Sequence, residues 1–472
     1  MSSSSSAKDR ILALLDDSSF VEIGAGVTAR TTDFNLKPAQ TPSDGVVTGY
    51  GVIDGGLVYV YSQDASVLGG SVGEMHARKI ARIYDLAIKT GAPVIGLIDS
   101  AGMRLQEGLD TLDAFGTIYK KMSEASGVVP QITAVFGNCG GGLAVIPALS
   151  DFTLMETDAK LFVNAPNALA GNVEDKNDTS GAAAKAAGGS VDFTGTEEEI
   201  FGEIRTLVSI LPSNNEDDFA EPCTDDLNRA SILVESGQAD PAVVLSDLAD
   251  NNIFIETKKG YAKEMVTGFL TLGGTTVGVA ANRSALYDEN GEEAESFEAV
   301  LTAGGCYKAA DLVKFCDAFE IPVITLTNVT GFAATESEER KVADAAAKLT
   351  AALAGANIPK INVIVNKAFG SAGIVMNSRA VGADITYALP GASVGIMDAG
   401  LAARILAGDS AAEIAQAKSR YEDLQNNIDS ALARGYVDQV VEPDDLRRYL
   451  IGALEMLYTK REELPAKKHS AK

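Results

Sequence analysis

The chain has 472 residues, a length for two or three domains, and its 46% apolar and 22% charged residues are a globular mixture. A formal charge of −26 opposes binding to nucleic acid, whose affinity rests on basic side chains neutralising phosphates. No apolar run reaches the roughly 18–20 residues of a membrane span, no secretory leader pattern opens the chain, and Cys139, Cys223, Cys306 and Cys316 lie far apart without metal-ligand spacing, so a cytoplasmic protein with reduced thiols, no membrane insertion and no metal site is expected.

Residues 1–7 are serine-rich and are expected to be a disordered start. Residues 46–62 form two β-runs through the hairpin signal Asp54-Gly55-Gly56. A helix over 74–90 ending at Gly91, a buried strand over 93–99, a helix over 109–126 and a strand over 131–136 follow, and the next helix begins within 142–149. The polar run 213–226, with Asn214-Asn215-Glu216-Asp217-Asp218, reads as a linker that divides the chain into residues 1–225 and 226–472. Beyond it the order repeats: a hairpin over 266–281, a helix over 306–319, a strand over 323–328, a helix over 340–354, a strand over 361–366 and a loop over 367–373. Strands alternating with helices predict α/β layers with a partly parallel sheet.

The two halves are copies. Residues 47–60 (VTGYGVIDGGLVYV) recur as 266–279 (VTGFLTLGGTTVGV), offset by 219; Pro93-Val94-Ile95 ending at Gly102 recurs as Pro322-Val323-Ile324 ending at Gly331, and Pro130 opening a strand toward Gly141 recurs as Pro359 opening one toward Gly370, both offset by 229.

Only two histidines occur, His76 inside a helical pattern and His469 in the basic tail Lys467-Lys468-His469, so chemistry built on histidine bases has almost nothing to use. His76 reads more simply as a satisfied helix residue than as a catalytic one. The run Phe136-Gly137-Asn138-Cys139-Gly140-Gly141-Gly142, between an apolar strand and an apolar helix, can aim peptide N–H groups at a ligand and stabilise developing negative charge. The plainer alternative is a tight strand-to-helix turn. The counterpart Phe369-Gly370-Ser371-Ala372-Gly373 in the second half favours function, and the absence of Gly-Lys-Ser/Thr excludes a P-loop.

Asp44-Gly45-Val46-Val47-Thr48-Gly49, Ser62-Gln63-Asp64, Gly69-Gly70-Ser71, the stretch DSAGMRLQEG (99–108), the first glycine run, Phe315-Cys316-Asp317-Ala318-Phe319, Ile321-Pro322 and Lys367-Ala368-Phe369-Gly370 together resemble the carboxyltransferase subunit of biotin-dependent acyl-CoA carboxylases and decarboxylases. The resemblance, to propionyl-CoA carboxylase β chains and methylmalonyl-CoA decarboxylase α chains, covers about residues 9–445. It implies two tandem crotonase-like domains, acyl-CoA held by the first and biotin by the second. It implies that Gly141 and Gly142 offer N–H groups to a thioester enolate and that Ser371 and Ala372 do so for the biotin ureido oxygen, with Phe369, Gly370 and Gly373 completing that loop. The activity implied is carboxyl transfer between carboxybiotin and the α-carbon of a short acyl-CoA, propionyl/methylmalonyl or acetyl/malonyl. Biotin would supply the reactive chemistry, on a separate carrier protein, which accounts for the scarcity of histidine. A biotin carboxylase or a membrane decarboxylase pump subunit is the implied partner, and a hexamer with sites shared between subunits the implied assembly.

Coenzyme A is polyanionic, so cations must gather near it. Arg78 and Arg82, with Lys79 beside them, and Arg104 and Gly102 in the DSAGMRLQEG stretch are the candidates. Pairing of Glu74 with Arg78 on a solvated helix face, and a loop-positioning role for Arg104, are the equal alternatives. Ile374 suits a short acyl group or ordinary core packing. The chain departs from the family pattern at Asn328–Glu336, which lacks a second Pro-Gly, and at residues 181–189 (GAAAKAAGG). Two other activities fit the sequence: a biotin-independent crotonase-type hydratase or isomerase, with Glu107 as the one nearby carboxylate, and a catalytically silent scaffolding paralogue.

Overall fold

The computed structural model describes residues 6–30, 41–174, 176–217, 222–288, 290–407 and 410–465. Residues 1–5 of the serine-rich start, residues 218–221 of the polar run and the tail Lys467-Lys468-His469 lie outside the described residues. The chain divides into two compact units, residues 1–219 and 220–472.

In the first unit the hairpin strands Val46–Ile53 and Gly56–Gln63 pair antiparallel from Val46↔Gln63 to Ile53↔Gly56. Their turn has Asp54 at φ 49° and Gly55 at φ 83°, the two positive values that match a tight hairpin to the strand twist. Parallel to the second hairpin strand run Val94–Ser100, Gln131–Gly140, Phe152–Glu156 and Phe193–Gly195, while Val21–Glu22 closes the hairpin edge and Lys160–Phe162 pairs with the end of Gln131–Gly140. The helix Glu74–Thr90 buries Ala77, Ile80, Ile83, Tyr84 and Ala87, an i, i+3, i+4, i+7 stripe, and stops at left-handed Gly91 (φ 66°). That stripe joins Ile118 and Met122 of the helix Leu109–Ala125 and Ile98 and Val135 of the sheet in one core.

The second unit repeats this order strand for strand. Phe254–Thr257, Met265–Leu272, Thr275–Asn282, Val323–Val329, Lys360–Phe369, Ile385–Ala388 and Gln439–Val440 lie in sequence across its sheet, with Ser393–Gly395 on the end of Lys360–Phe369. The repeated Val-Thr-Gly has a steric cause. A side chain at Gly49 would run into the Val21 carbonyl and one at Gly268 into the Ile255 carbonyl, so only glycine lets each edge strand come close enough to pair. The second unit adds a small hairpin, Ala285–Tyr287 with Glu293–Ser296, and a two-stranded pair, Val300–Leu301 with Gly331–Phe332.

Candidate active site

Both glycine runs are extended further than the sequence pattern suggests. Expected to leave the strand at 136, the chain stays in it to Gly140, and the expected loop 367–373 is strand to Phe369 and helix from Gly370. The reason is a short partner invisible to periodicity: Asn138, Cys139 and Gly140 pair with Lys160, Leu161 and Phe162, and Lys367, Ala368 and Phe369 with Ser393, Val394 and Gly395. Register against the preceding strand breaks between Ile98 and Ser100, so that Ser100 faces Cys139; in the second unit it breaks between Thr327 and Val329, and Val329 faces Ala368. The break is duplicated at the same offset of 229.

Beyond the break the first strand turns at Gly141 (φ 63°) into Gly141–Ala144 and the helix Val145–Leu149. The second turns at Gly370 (φ 58°) into the helix Gly370–Val375. The opening amides of such a turn have no partner within it and carry partial positive charge. A Cβ built on Gly141 meets nothing within 4 Å, so this glycine faces open space; one on Gly142 would come 3.0 Å from the Tyr119 hydroxyl. Gly141, Gly142 and Gly102 line one cavity of about 440 Å³ with Ser100, Ala101, Met103, Asn138, Gly140 and Phe162.

Among the described residues, that lining holds no histidine, carboxylate or cation. The Ser100 hydroxyl accepts the Gly102 N–H at 3.1 Å. Cys139 is buried, its thiol pKa pushed up to about 12 by loss of solvent. His76 is enclosed too, Nδ1 2.9 Å from the Asp44 carbonyl and Nε2 3.2 Å from the Gln63 amide, and burial lowers its pKa to about 3, which keeps it neutral and structural. Glu107 is occupied elsewhere: one carboxylate oxygen accepts the Glu74 N–H at 2.6 Å, capping the helix Glu74–Thr90, and the other binds Arg104 at 2.8 Å.

The cations fall outside the cavity. Arg104 is fully buried, its guanidinium paired with Asp44 and Glu107 and donating to the Ser71 carbonyl at 2.7 Å, so it braces the loop. Lys79 is likewise buried, donating to the Ser43 and Val46 carbonyls, with its pKa lowered to about 8 by burial, and it adds nothing to a surface patch. Arg78 is exposed and pairs with Glu74 at 2.7 Å. Arg82 is exposed on the same helix.

In the second unit Phe369 and Ala372 are buried while Ser371 is exposed. A Cβ at Gly373 would come 2.7 Å from the Ala368 carbonyl carbon, so that glycine serves close packing. Ile374 is 48% exposed, which removes the core-packing explanation within this chain. At the offset of 229, Gly370 corresponds to Gly141 and Ser371 to Gly142. Sequence reasoning gave Met103, Asn138, Phe162 and Tyr119 no role. The first three line the cavity, and the Tyr119 hydroxyl donates to the Gly142 carbonyl, a contact 23 residues apart with no local signal.

The carboxyl transferase domain family matches residues 3–471, and the chain belongs to it. It is an enzyme, a carboxyltransferase of the class found in biotin-dependent acyl-CoA carboxylases and decarboxylases, built from two tandem crotonase-like domains. It is 39% identical to a propionyl-CoA carboxylase beta chain of Roseobacter denitrificans and 36% identical to a methylmalonyl-CoA decarboxylase subunit alpha of Propionigenium modestum, in each case over 98% of this chain and 92% of the relative. The solved transcarboxylase 12S hexamer with methylmalonyl-coenzyme A and methylmalonic acid bound superposes with a TM-score of 0.91 at 36% identity, over 98% of this chain and 92% of that one. Among the described residues, no helix is long and apolar enough to cross a membrane.

Proposed function

We propose that residues 1–225 hold a short acyl-CoA and residues 226–472 hold biotin, and that a carboxyl group moves between biotin on a separate carrier and the α-carbon of propionyl/methylmalonyl- or acetyl/malonyl-CoA. The observation that carries this is the first-unit cavity, walled among the described residues by glycine backbone and uncharged side chains, none of them a histidine, carboxylate or lysine able to act as a base. A hydratase or isomerase needs a carboxylate there, and Glu107 is committed to Arg104 and a helix cap.

The chain's own part is orientation and charge. Amide N–H groups of Gly141 and Gly142 would meet the thioester oxygen and stabilise it as the α-carbon gains enolate character, because fixed dipoles need no reorganisation when charge develops. In the second unit the N–H donors of Ser371 and Ala372 suit a ureido oxygen, and the exposed Ile396, whose carbonyl lies beside Gly370, suits the apolar sulfur-containing ring fused to the ureido ring, so the residues present fit biotin. Biotin, when bound, supplies the carboxyl group and the basic site for the α-proton. Arg82, exposed and bearing no ion pair among the described residues, is the better cation for CoA phosphates than Arg78.

Leu105 and Leu109, 84% and 81% exposed, and Ile405 and Leu406, 70% and 69%, fit burial against further copies in a hexamer. The remaining activities come from partners: a biotin carrier and either a biotin carboxylase or a decarboxylase pump subunit, with the work done in the cytoplasm. The test is carboxyl transfer between a biotinyl carrier, or free biotin, and propionyl-CoA or malonyl-CoA. Transfer is expected; CoA thioester binding without transfer would refute it.

A further inference from the structure

Met103 stands at the mouth of the glycine turn. Its Cε lies 3.3 Å from the point where a Cβ on Gly142 would be, and 38% of the residue is exposed. Besides Met103, the apolar side chains on the cavity wall among the described residues are Phe162 and Ala101. The backbone that carries Met103 is pinned on both sides: Val72 donates to the Gly102 carbonyl at 2.8 Å, Arg104 donates to the Val72 carbonyl at 3.0 Å, and the Arg104 guanidinium is locked among Asp44, Glu107 and Ser71. Phe162 is held by its strand pairing to Gly140, where a Cβ would come 2.8 Å from its ring. Neither wall can retreat with a moving loop; Met103 yields only through its own side-chain torsions.

We infer that Met103, with Phe162 as the second wall, sets the acyl-chain length this site accepts and restricts it to short aliphatic acyl thioesters. The inference rests on the reading of Gly141-Gly142 as the turn that holds the thioester oxygen. An acyl group placed there has its α-carbon two bonds from that oxygen, within reach of the Met103 methyl group, and every further methylene has to displace this side chain. Methionine is unbranched and adaptable, so the restriction is graded. A single methylene in an apolar pocket discriminates by roughly 10- to 200-fold.

The experiment compares wild type, Met103→Ala, Met103→Leu and Met103→Phe on the CoA thioester series from acetyl to octanoyl, by carboxyl transfer with the biotinyl carrier and by competition binding without it. Met103→Ala is expected to raise the hexanoyl-to-propionyl ratio of kcat/KM roughly tenfold or more. Met103→Leu should keep the wild-type ratio, and Met103→Phe should shift preference toward acetyl. An unchanged ratio in a cooperatively melting Met103→Ala or Met103→Phe protein overturns the inference. Binding separates it from the proposed function: a shifted chain-length profile without carboxyl transfer refutes the transferase reading and supports the role of Met103, whereas transfer with a chain-length-blind profile does the reverse.

Discussion

Lys79 in the first unit and Lys308 in the second stand 229 residues apart and do the same thing: each is buried on the helix after the hairpin and donates to backbone carbonyls at the hairpin's start, Ser43 and Val46 in one copy, Tyr261 and Met265 in the other. Carboxylates repeat as faithfully. Glu107 caps the helix Glu74–Thr90 at Glu74, and Glu338 caps the helix Ala303–Ala318 at Ala303. Asp151 and Asp384 accept the first amides of the central strands, from Gln131 and Lys360, each at 2.8 Å; Asp192 and Asp438 accept from Thr153 and Thr386, also at 2.8 Å. The copies part where the strands end. In both units the stretch after the third strand is tied by backbone pairing, Ala101 to Gly69 and Arg104 to Val72 in the first, Thr330 to Ala299 and Ala333 to Leu301 in the second; the first adds the buried guanidinium of Arg104, where the second has Ala333. Charged groups that tie backbone to backbone recur in both copies; the stretches beside the two turns, where we propose that ligands bind, differ between them.

Removing Arg104 tests that contrast most severely. Arg104→Met leaves Asp44 and Glu107 buried without their cation, so about 3–5 kcal/mol of stability should be lost, read as a shift in the urea midpoint. Thr330→Val, which removes one hydroxyl bond from the counterpart segment, should cost about 1 kcal/mol. Equal losses would mean that the two segments are held alike. At the turn itself, Gly141→Val puts a β-branched residue at φ 63° and should lower kcat about 10²- to 10³-fold with cooperative melting retained. Ser371→Val should lower carboxyl transfer while leaving acyl-CoA binding intact; Ala372 is fully buried, so bulk there would disturb packing first.

The caps should differ in size and not in kind. Glu107→Ala removes a helix cap and an Arg104 partner together and should cost about 2–3 kcal/mol, against about 1 kcal/mol for Glu338→Ala. The smallest effect concerns pH. Asp384 shares its carboxylate with Lys460 at 2.9 Å, whereas Asp151 has no ion pair among the described residues, and burial raises its pKa to about 7. A carboxyl whose folded pKa lies above its unfolded value stabilises at low pH and loses that contribution as pH rises through about 7. Asp151→Asn should therefore flatten the thermal stability profile between pH 4 and 8; a wild-type profile that rises across that window would contradict the assignment.

Much of this was legible before any coordinates. The hairpins, the helix over 74–90 to its last residue and the offsets of 219 and 229 follow from local pattern, because turn glycines and the period of burial act over a few residues. A loop-positioning role for Arg104 was one of two equal readings, but its partner was not legible: Asp44 is 60 residues away, and no periodicity marks an arginine that will be enclosed. The strand extensions to Gly140 and Phe369 escaped for the same reason, their partners being three-residue strands that follow about twenty residues later. For Ile374 the sequence leaves a short acyl group and core packing equally open, because an apolar side chain serves either, and only the fold leaves it half open.

The register break beside each turn has a historical consequence. Ser100 facing Cys139 and Val329 facing Ala368 are one irregularity inherited twice, so the bend was present in the single copy before the gene doubled. Doubling let the two turns be mutated separately, and the divergence of Gly142 from Ser371 is what that independence permits.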